Sequence, residues 1–296
     1  MKLAIIIPAY NEEQTIGEVI RQIPKPGEFS LPQNLPQITT IRIFVIDNGS
    51  TDKTALKAQI FASQAGHKLE IVKLNQPCLA HAFSTGINEA IAWDADIILN
   101  LDADGQYDPS EIPRIIRPIL EGRADFVIGD RQVKKLAHMP AAKKYGNLIG
   151  SWFIRRLTGL ANKPELETKP DQIPPSQSAK AINIHPQTID ASSGFRAFTH
   201  TAAAKFQIHS NHTYTHENLI QAYYLGLRIV QIPIIFTARP EHAKSSRLIT
   251  SVPLHIAKSL GNIAKAWWRY RMKPCLVRIS SSMARLLVVG LIAVYL

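Results

Sequence analysis

The feature that most constrains the fold is an alternation of strand-like and helix-like segments over the first 130 residues. Five runs are rich in Ile, Val, Leu and Phe, and their apolar residues are mostly continuous rather than alternating, which is typical of strands buried on both faces. These runs lie at residues 2–7, 41–46, 69–74, 96–101 and 125–129, and helix-like stretches lie near residues 12–22, 52–65, 79–93 and 109–121. The alternation predicts an α/β fold built on a mainly parallel, doubly wound sheet.

Two proline-rich stretches interrupt this pattern. Residues 24–40 are typical of a surface loop, whereas residues 162–189 carry five prolines and little apolar periodicity, which favours a mobile lid or a disordered insertion. Ordered patterns then return, with a helix near residues 216–225, for which Gly226 is the expected cap, and a strand at residues 228–236. Pro233 within that strand predicts an edge or bulged position.

The C-terminal region combines basic, aromatic and apolar residues. Residues 254–273 place Trp267, Trp268 and Tyr270 among Lys, Arg and His residues, a mixture that suits a membrane interface. Residues 286–296 are apolar, but a spanning helix needs about 20 such residues. We therefore predict one domain over residues 1–250 and a membrane-associated amphipathic and apolar helical tail over residues 251–296. The alternatives are a solvated amphipathic helix packed on its own domain and a C-terminal core helix.

The charge balance points to an anionic partner. The 296 residues contain 34 Lys and Arg against 23 Asp and Glu, a net charge of +11. Nucleotides, phosphates and membrane surfaces fit this surplus, but no helix-turn-helix, zinc-finger or RNP pattern supports a nucleic acid. Two cysteines exclude a disulfide scaffold and fit a reducing compartment. The first apolar run is too short for a signal-peptide core, so a cytoplasmic location is expected.

The strongest chemical motif is Asp102-Ala103-Asp104-Gly105-Gln106, which directly follows the fourth apolar run. Ligands of doubly wound sheets bind at the carboxyl ends of the strands, where this motif lies. Two carboxylates at i and i+2 on such a turn can converge on one hard divalent cation, and Gln106 can add a carbonyl oxygen. Mg²⁺ and Mn²⁺ prefer oxygen ligands and leave room for substrate phosphates. The motif therefore predicts a Mg²⁺ or Mn²⁺ site.

Two further motifs follow the first and second apolar runs. In the segment Pro8–Glu13, Tyr10 could stack on a base, and Asn11 could cap the following helix. In the segment at residues 45–54, Asp47 could accept hydrogen bonds from a ribose or a base, whereas Ser50 or Thr51 could cap the next helix. Both motifs predict a nucleotide site, with helix capping as the structural alternative.

Taken in order along the chain, these motifs resemble the family 2 glycosyltransferases with the GT-A fold. The resemblance is closest to the branch of dolichol-phosphate mannose synthases and bacterial polyprenyl-phosphate glycosyltransferases, and it covers about residues 3–250. Two departures are that Cys78 stands about where that family has a glycine, and that the stretch 162–189 is longer than expected. The motifs are PAYNEE, IDNGSTDKT, LNLDADGQYDP, ADFVIGDR, DASSGFRAF, HENLI and SSRL.

The resemblance implies a role for each motif. The nucleotide site would contain Pro8, Tyr10, Glu12 and Asp47, and the metal would be held by Asp102, Asp104 and Gln106. Donor or acceptor phosphates and the sugar would lie near Arg131, Asp190, Ser193, Gly194, Arg196, Glu217, Arg239 and Arg247. Asp190 is the candidate general base if the acceptor is a hydroxyl group, and Asp104 could contribute.

The function implied by the resemblance is inverting, metal-dependent transfer of a sugar. The donor would be a UDP- or GDP-linked sugar, and the acceptor a polyprenyl phosphate at the cytoplasmic face of a membrane. One alternative is a soluble family 2 glycosyltransferase acting on a small metabolite or a polysaccharide. Another is a catalytically silent nucleotide-sugar-binding protein. A sugar nucleotidyltransferase would need a glycine-rich loop near the first strand, and PAYNEE has no glycine.

Overall fold

A computed structural model describes residues 1–29, 31–137, 139–158, 189–211, 213–240 and 252–272. Seven strands form one sheet in the order β3-β2-β1-β4-β6-β5-β7. All neighbouring strands are parallel except β6, which is antiparallel to both β4 and β5. The strands are β1 (Lys2–Ala9), β2 (Thr40–Asp47), β3 (Leu69–Lys73), β4 (Ile97–Asn100), β5 (Phe126–Asp130), β6 (Arg196–Thr199) and β7 (Ile229–Pro233). The predicted mainly parallel α/β sheet is confirmed.

Helices cover both faces of the sheet. They are α1 (Ile16–Arg21), α2 (Thr54–Ala65), α3 (Leu79–Ala92), α4 (Ile112–Leu120), α5 (Ala141–Thr158), α6 (His200–Ala203), α7 (Thr215–Tyr224) and α8 (Val252–Trp267). Apolar residues of α1, α2 and α4 pack in one core, and those of α3 and α5 to α8 pack in the other. A π-helical turn, Trp268–Met272, continues α8.

The central strand β1 shows why the apolar runs are continuous. Leu3, Ile5 and Ile7 face the core beneath α1, α2 and α4, whereas Ala4 and Ile6 face the opposite core. All five side chains are fully buried. Because side chains alternate between the faces of a strand, a run without polar residues requires a covered sheet on both sides.

The reversed strand β6 brings a loop to the functional edge of the sheet. Because β6 runs antiparallel to β4, its first residue, Arg196, pairs with Asn100, the last residue of β4. The preceding loop, residues 190–195, therefore meets the turns that leave the carboxyl ends of β4 and β5. The sheet also ends at β7, where Pro233 pairs with Asp130, as expected for an edge strand.

Some of the helix caps predicted from the sequence are present in the structure, and others are not. Gly226 adopts a positive φ of 70° after α7, as expected for a cap, and the Asp108 side chain accepts a hydrogen bond from Ser110 N at 2.9 Å. The prediction that Asn11 caps the helix after β1 was wrong, because Asn11 Oδ1 accepts a hydrogen bond from Thr51 N at 2.8 Å. Asp52, rather than Ser50 or Thr51, bonds the first residue of α2, with its Oδ1 3.0 Å from Thr54 N.

Several expectations concern residues outside the described ranges. These are the stretch 162–188, Arg247 and the apolar segment 286–296. Within the described part of the chain, no helix has the length and apolar character that crossing a membrane requires.

Candidate active site

The acidic motif forms a turn directly after β4. Gly105 adopts a φ of 72° there, a left-handed conformation that glycine takes without strain. The Asp104 carboxylate accepts a hydrogen bond from Gln106 N at 3.1 Å, and the Gln106 amide donates to Thr237 O at 3.2 Å. The turn is thus tied to the segment after β7, and it holds three oxygen-bearing side chains within five residues.

The electrostatics of this turn fit a divalent cation. Burial raises the pKa of Asp102 to about 7, the charge of Asp104 adds to the rise, and Arg131 opposes it. A nearby divalent cation would favour the ionised form of both carboxylates. Mg²⁺ is commonly held by one or two carboxylates and completed by water and substrate phosphates. In the described ranges, no group of three or more His, Cys, Asp or Glu side chains could hold a metal ion. Asp102, Asp104 and Gln106 carry the oxygen ligands that a Mg²⁺ or Mn²⁺ site completed by water and substrate phosphates would need.

Gly194 lies against the Asp102 carboxylate. A Cβ atom at Gly194 would stand 2.5 Å from both carboxylate oxygens of Asp102, so no other residue fits without a shift. The backbone of Gly194 is fixed on both sides, since its N–H donates to Tyr107 Oη at 2.9 Å and its carbonyl accepts from Asn100 Nδ2 at 2.8 Å. Ser193 Oγ lies 3.4 Å from Tyr107 Oη. The resemblance implied that Gly194 lies near the phosphates and the sugar, whereas no sequence signal pointed to Tyr107 or Asn100.

Arg131 and Asp190 form a buried, two-pronged ion pair. Arg131 Nε and one terminal nitrogen each donate to Asp190 at 2.7 Å, and Arg131 N donates to the same carboxylate at 3.1 Å. Burial alone would raise the pKa of Asp190, but the charge and hydrogen bonds of Arg131 hold it below its ordinary value. Burial by itself would lower the pKa of Arg131. The negative charge of Asp190 outweighs this effect, so the pKa of Arg131 is raised. A carboxylate held in this way is a weak proton acceptor, which differs from the predicted role of Asp190 as a base.

Two residues expected near the acceptor engage the protein instead. Arg196 is fully buried, and it donates to the carbonyls of Ser193, Ala191 and Thr215 and to the Asn218 side chain at 2.7 to 3.1 Å. Arg196 therefore holds the loop 190–195 against the start of α7. Burial lowers the pKa of this guanidinium to about 10.

Glu217 lies in the first turn of α7 with its carboxylate directed toward a neighbouring loop. It accepts from His209 N and Ser210 N, both at 2.9 Å, and it pairs with Arg269 at 3.1 Å. These contacts tie α7 to the π-helical turn after α8. The carboxylate of Glu217 is thus engaged by protein groups, whereas the resemblance implied a position near the phosphates and the sugar.

The predicted nucleotide residues lie at the ends of β1 and β2. Pro8 is buried in β1, Tyr10 is 38% exposed, and Asp47 is buried and accepts from Ser50 N at 3.0 Å. Tyr10 has an accessible ring and directly follows Ala9, which pairs with Asp47 in the sheet.

Glu12 pairs with Arg239, both largely buried. Burial raises the pKa of Glu12 although Arg239 opposes it, and the Asp104 charge adds to the rise. Because the charge of Asp104 acts on Glu12, the Glu12–Arg239 pair lies close to the acidic turn Asp102–Gln106. The structure therefore brings together Glu12, Arg239, Asp102 and Asp104 at one edge of the sheet.

Helix α5 contributes two residues that sequence analysis missed. The charges of Arg131, Asp104, Arg239 and Asp102 all act on Lys143; burial and Arg131 lower its pKa. One helical turn later, Asn147 Nδ2 donates to Asp190 Oδ1 at 3.2 Å. No motif marks these residues. The available signal was that residues 131–164 contain no Asp or Glu, so Lys143 has no acidic residue near it in sequence.

Comparison with known proteins identifies the family. Residues 4–201 match the model described as glycosyl transferase family 2. The chain belongs to this family. The expected resemblance is confirmed at this level, and the residues matched span β1 to α6 with the Asp102–Gln106 turn near their middle.

Two relatives illustrate the range of similarity within the family. An uncharacterised protein of Methanocaldococcus jannaschii is 30% identical over 238 residues, which are 79% of this chain and 80% of that protein. A UDP-N-acetylglucosamine–dolichyl-phosphate N-acetylglucosaminyltransferase of Methanococcus voltae is 32% identical over 169 residues, 52% of this chain. The match spans 62% of the Methanococcus enzyme, less than two thirds of its length.

A solved structure confirms the GT-A fold of this family 2 glycosyltransferase. Glucosyl-3-phosphoglycerate synthase from Mycobacterium tuberculosis, crystallised with Mn²⁺, UDP and glucosyl-3-phosphoglycerate, superposes with a TM-score of 0.58. The two proteins are 17% identical, and the match covers 90% of this chain and 79% of the synthase. At this identity the likeness concerns the fold.

Proposed function

We propose that this family 2 glycosyltransferase moves a sugar from a nucleoside-diphosphate sugar to a lipid-linked phosphate of the polyprenyl or dolichyl type. The observation that carries the proposal is the chemistry of the acceptor side. Arg131 and Lys143 are cations close to the acidic turn, while the buried carboxylate beside them, Asp190, is engaged by Arg131. Such a site suits an acceptor that is already an anion.

The donor would bind across the ends of β1, β2 and β4. Tyr10 would stack on the base, Asp47 would accept from the ribose, and Glu12 would orient Arg239 toward the diphosphate. Asp102, Asp104 and Gln106 would hold Mg²⁺ or Mn²⁺. The cation, when bound, would neutralise charge on the leaving diphosphate. The backbone of Gly194 is fixed by Tyr107 and Asn100. Because Gly194 has no Cβ atom, the Asp102 carboxylate can lie directly against it.

The transfer step would need no strong base on the protein. An acceptor phosphate oxygen would form the new bond to the anomeric carbon while the bond from that carbon to the donor diphosphate breaks. The electron pair of the broken bond would leave with the nucleoside diphosphate, and inversion follows from attack opposite the leaving group. Asp190 and Asn147 would act as positioning residues that hold Arg131 toward the acceptor phosphate.

The name of the Methanococcus relative supports a lipid-phosphate acceptor, because that enzyme transfers N-acetylglucosamine to dolichyl phosphate. The net charge of +11 agrees with a diphosphate donor and a phosphate acceptor. A cytoplasmic location at a membrane surface, with a UDP- or GDP-linked donor, belongs to this proposal.

The test is transfer of radiolabelled sugar from a panel of UDP- and GDP-sugars to polyprenyl phosphate in detergent with Mg²⁺ or Mn²⁺. We expect an organic-soluble product with one donor, and loss of that product in Asp104→Asn. Phosphorylated metabolites and free sugars are supplied in parallel as soluble acceptors. Sugar transfer to a soluble acceptor only would contradict the proposed lipid acceptor. No turnover with any acceptor, together with donor binding, would favour a silent nucleotide-sugar-binding protein.

A further inference from the structure

Helix α5 (Ala141–Thr158) has two faces of opposite character. Its inward face carries Asn147, Ser151, Ile154 and Thr158; the last three are buried, and Asn147 reaches Asp190. Its outward face carries large apolar side chains at i, i+4 and i+7. These are Tyr145, Ile149 and Trp152, which are 64%, 48% and 59% exposed. With 3.6 residues per turn, this spacing forms one continuous stripe along the helix.

The charged residues nearest to this stripe in sequence are all basic. Residues 131–164 contain eight Lys and Arg residues and no Asp or Glu. Lys134 and Lys135 precede the helix, Lys144 lies in its first turn, and the exposed Arg156 follows Trp152 by one turn. Exposed Trp and Tyr between basic residues match the chemistry of an anionic lipid interface, where aromatic rings sit at headgroup level.

We propose that the outward face of α5, formed by Tyr145, Ile149 and Trp152 with its basic flanks, docks on an anionic lipid bilayer. This surface deepens the proposed function and rests on it for the identity of the lipid acceptor. It differs from the expectation that the tail 251–296 provides the membrane contact. The neighbouring helix α8 packs against α5, with Trp267 Nε1 donating to Leu157 O at 3.1 Å. Beside it, Trp268 is 52% exposed and extends the aromatic character of this region.

Docking through α5 would bring the bilayer close to the acceptor side of the site. The inward and outward faces belong to the same helix, whose diameter with side chains is about 10–12 Å. Lys143 is exposed and precedes Asn147 by one turn, and Asn147 contacts Asp190. A lipid phosphate at headgroup level would therefore have a short path to Arg131, while its chain stays in the bilayer.

The test compares vesicle binding of the full chain and of two matched double variants. One variant, Ile149→Ser with Trp152→Ser, removes apolar area from α5. The control, Leu56→Ser with Ile60→Ser, removes two exposed apolar side chains that lie about one turn apart on α2. Each is mixed with phosphatidylcholine vesicles with and without phosphatidylglycerol, sedimented, and quantified. We expect the α5 variant to need at least about tenfold more anionic lipid for half-binding, and the control to match the wild type.

Melting temperatures and detergent assays separate the other outcomes. A large fall in melting temperature of the α5 variant would show that another segment of the chain covers this face, which overturns the proposal. Unchanged vesicle binding of that variant, or no binding by the wild type, would also overturn it. Lipid binding lost as expected, without any transfer to polyprenyl phosphate, would leave the docking surface standing and remove the proposed acceptor. Transfer to polyprenyl phosphate in detergent, together with vesicle binding that the α5 variant retains, would support the proposed acceptor and overturn the docking surface.

Discussion

At the scale of single residues, the site depends on close approach around Asp102. Its carboxylate is partly buried, its pKa is raised to about 7 mainly by burial, and Gly194 leaves it the space it occupies. Tyr107 and Asn100 fix that glycine from both sides. Small changes here should therefore alter the chemistry without unfolding the protein.

Gly194→Ala tests this close approach. The added Cβ would stand 2.5 Å from both oxygens of Asp102 and must displace the carboxylate or the turn. Because misplacement of about 1 Å can cost about 10²-fold in rate, we expect turnover to fall by about that factor. The matched control is Gly261→Ala, where a Cβ meets no atom within 4 Å. Equal turnover of Gly194→Ala and the wild type would contradict the arrangement.

Lys143→Ala tests the cation that α5 contributes. Removing one charged contact to a substrate phosphate should reduce kcat/KM by about tenfold, because hydrogen bonds to charged groups contribute about 1.5–3 kcal/mol. Lys143→Arg should recover part of the loss. The adjacent Lys144→Ala is the control, and steady-state kinetics at two salt concentrations are the measurement. The same loss in both alanine variants would mean that Lys143 acts only through the general charge of the helix.

At the scale of elements, the decisive feature is the reversed strand β6. Inserted between β4 and β5, it brings the loop 190–195 to the edge where the parallel strands end. On its other side, β5 pairs with β7, which is the edge strand of the sheet. An ion pair at the opposite end of β5 fixes this pairing.

Asp125→Asn tests how β5 and β7 are joined. Arg228 donates to the Asp125 carboxylate from its backbone N–H and two side-chain nitrogens at 2.8 to 3.0 Å. Burial alone would raise the pKa of Asp125, but these hydrogen bonds lower it. We expect the substitution to reduce the free energy of unfolding by about 1 kcal/mol at neutral pH, since the pair is partly exposed to solvent.

The pH dependence of this variant follows from the direction of the shift. A carboxylate with a lowered folded pKa stabilises the protein above its unfolded pKa, about 3.9, and the contribution is lost as pH falls through the folded pKa. The difference between wild type and Asp125→Asn in urea unfolding should therefore narrow between about pH 5 and pH 3. Glu70→Gln, at an exposed pair with Arg42, is the control and should change stability by less than about 0.5 kcal/mol. If the stability difference between wild type and Asp125→Asn became larger at low pH, the lowered pKa of Asp125 would be refuted.

At the scale of the whole molecule, donor and metal should stabilise the fold together. The proposed donor site joins turns from β1, β2 and β4 with the segment after β7, so a bound donor would link elements that are distant in sequence. A ligand at 100 times its Kd stabilises the folded state by about 2.7 kcal/mol. UDP with Mn²⁺ should thus raise the melting temperature by several degrees.

Asp104→Asn is the matched variant for this thermal shift. It should retain a small shift with UDP alone and lose the additional shift produced by Mn²⁺. An unchanged Mn²⁺-dependent shift would place the metal elsewhere. The division into a domain at residues 1–250 and a tail at residues 251–296 remains a prediction, which limited proteolysis of the full chain would address.

The fold class could be predicted from the sequence alone, and so could the residues of the proposed donor site. Five largely apolar runs predicted a sheet covered on both faces, and polar motifs after three of them predicted a site at the carboxyl edge, because local periodicity and strand ends depend on adjacent residues. The contacts of the proposed acceptor site could be seen only in the tertiary structure. Whether Asp190 is a free base or the partner of Arg131, and whether Arg196 and Glu217 face substrate or protein, depends on residues far apart in sequence. The roles of Lys143 and Gly194 depend in the same way on packing of α5 and β6, since charge and distance act through space.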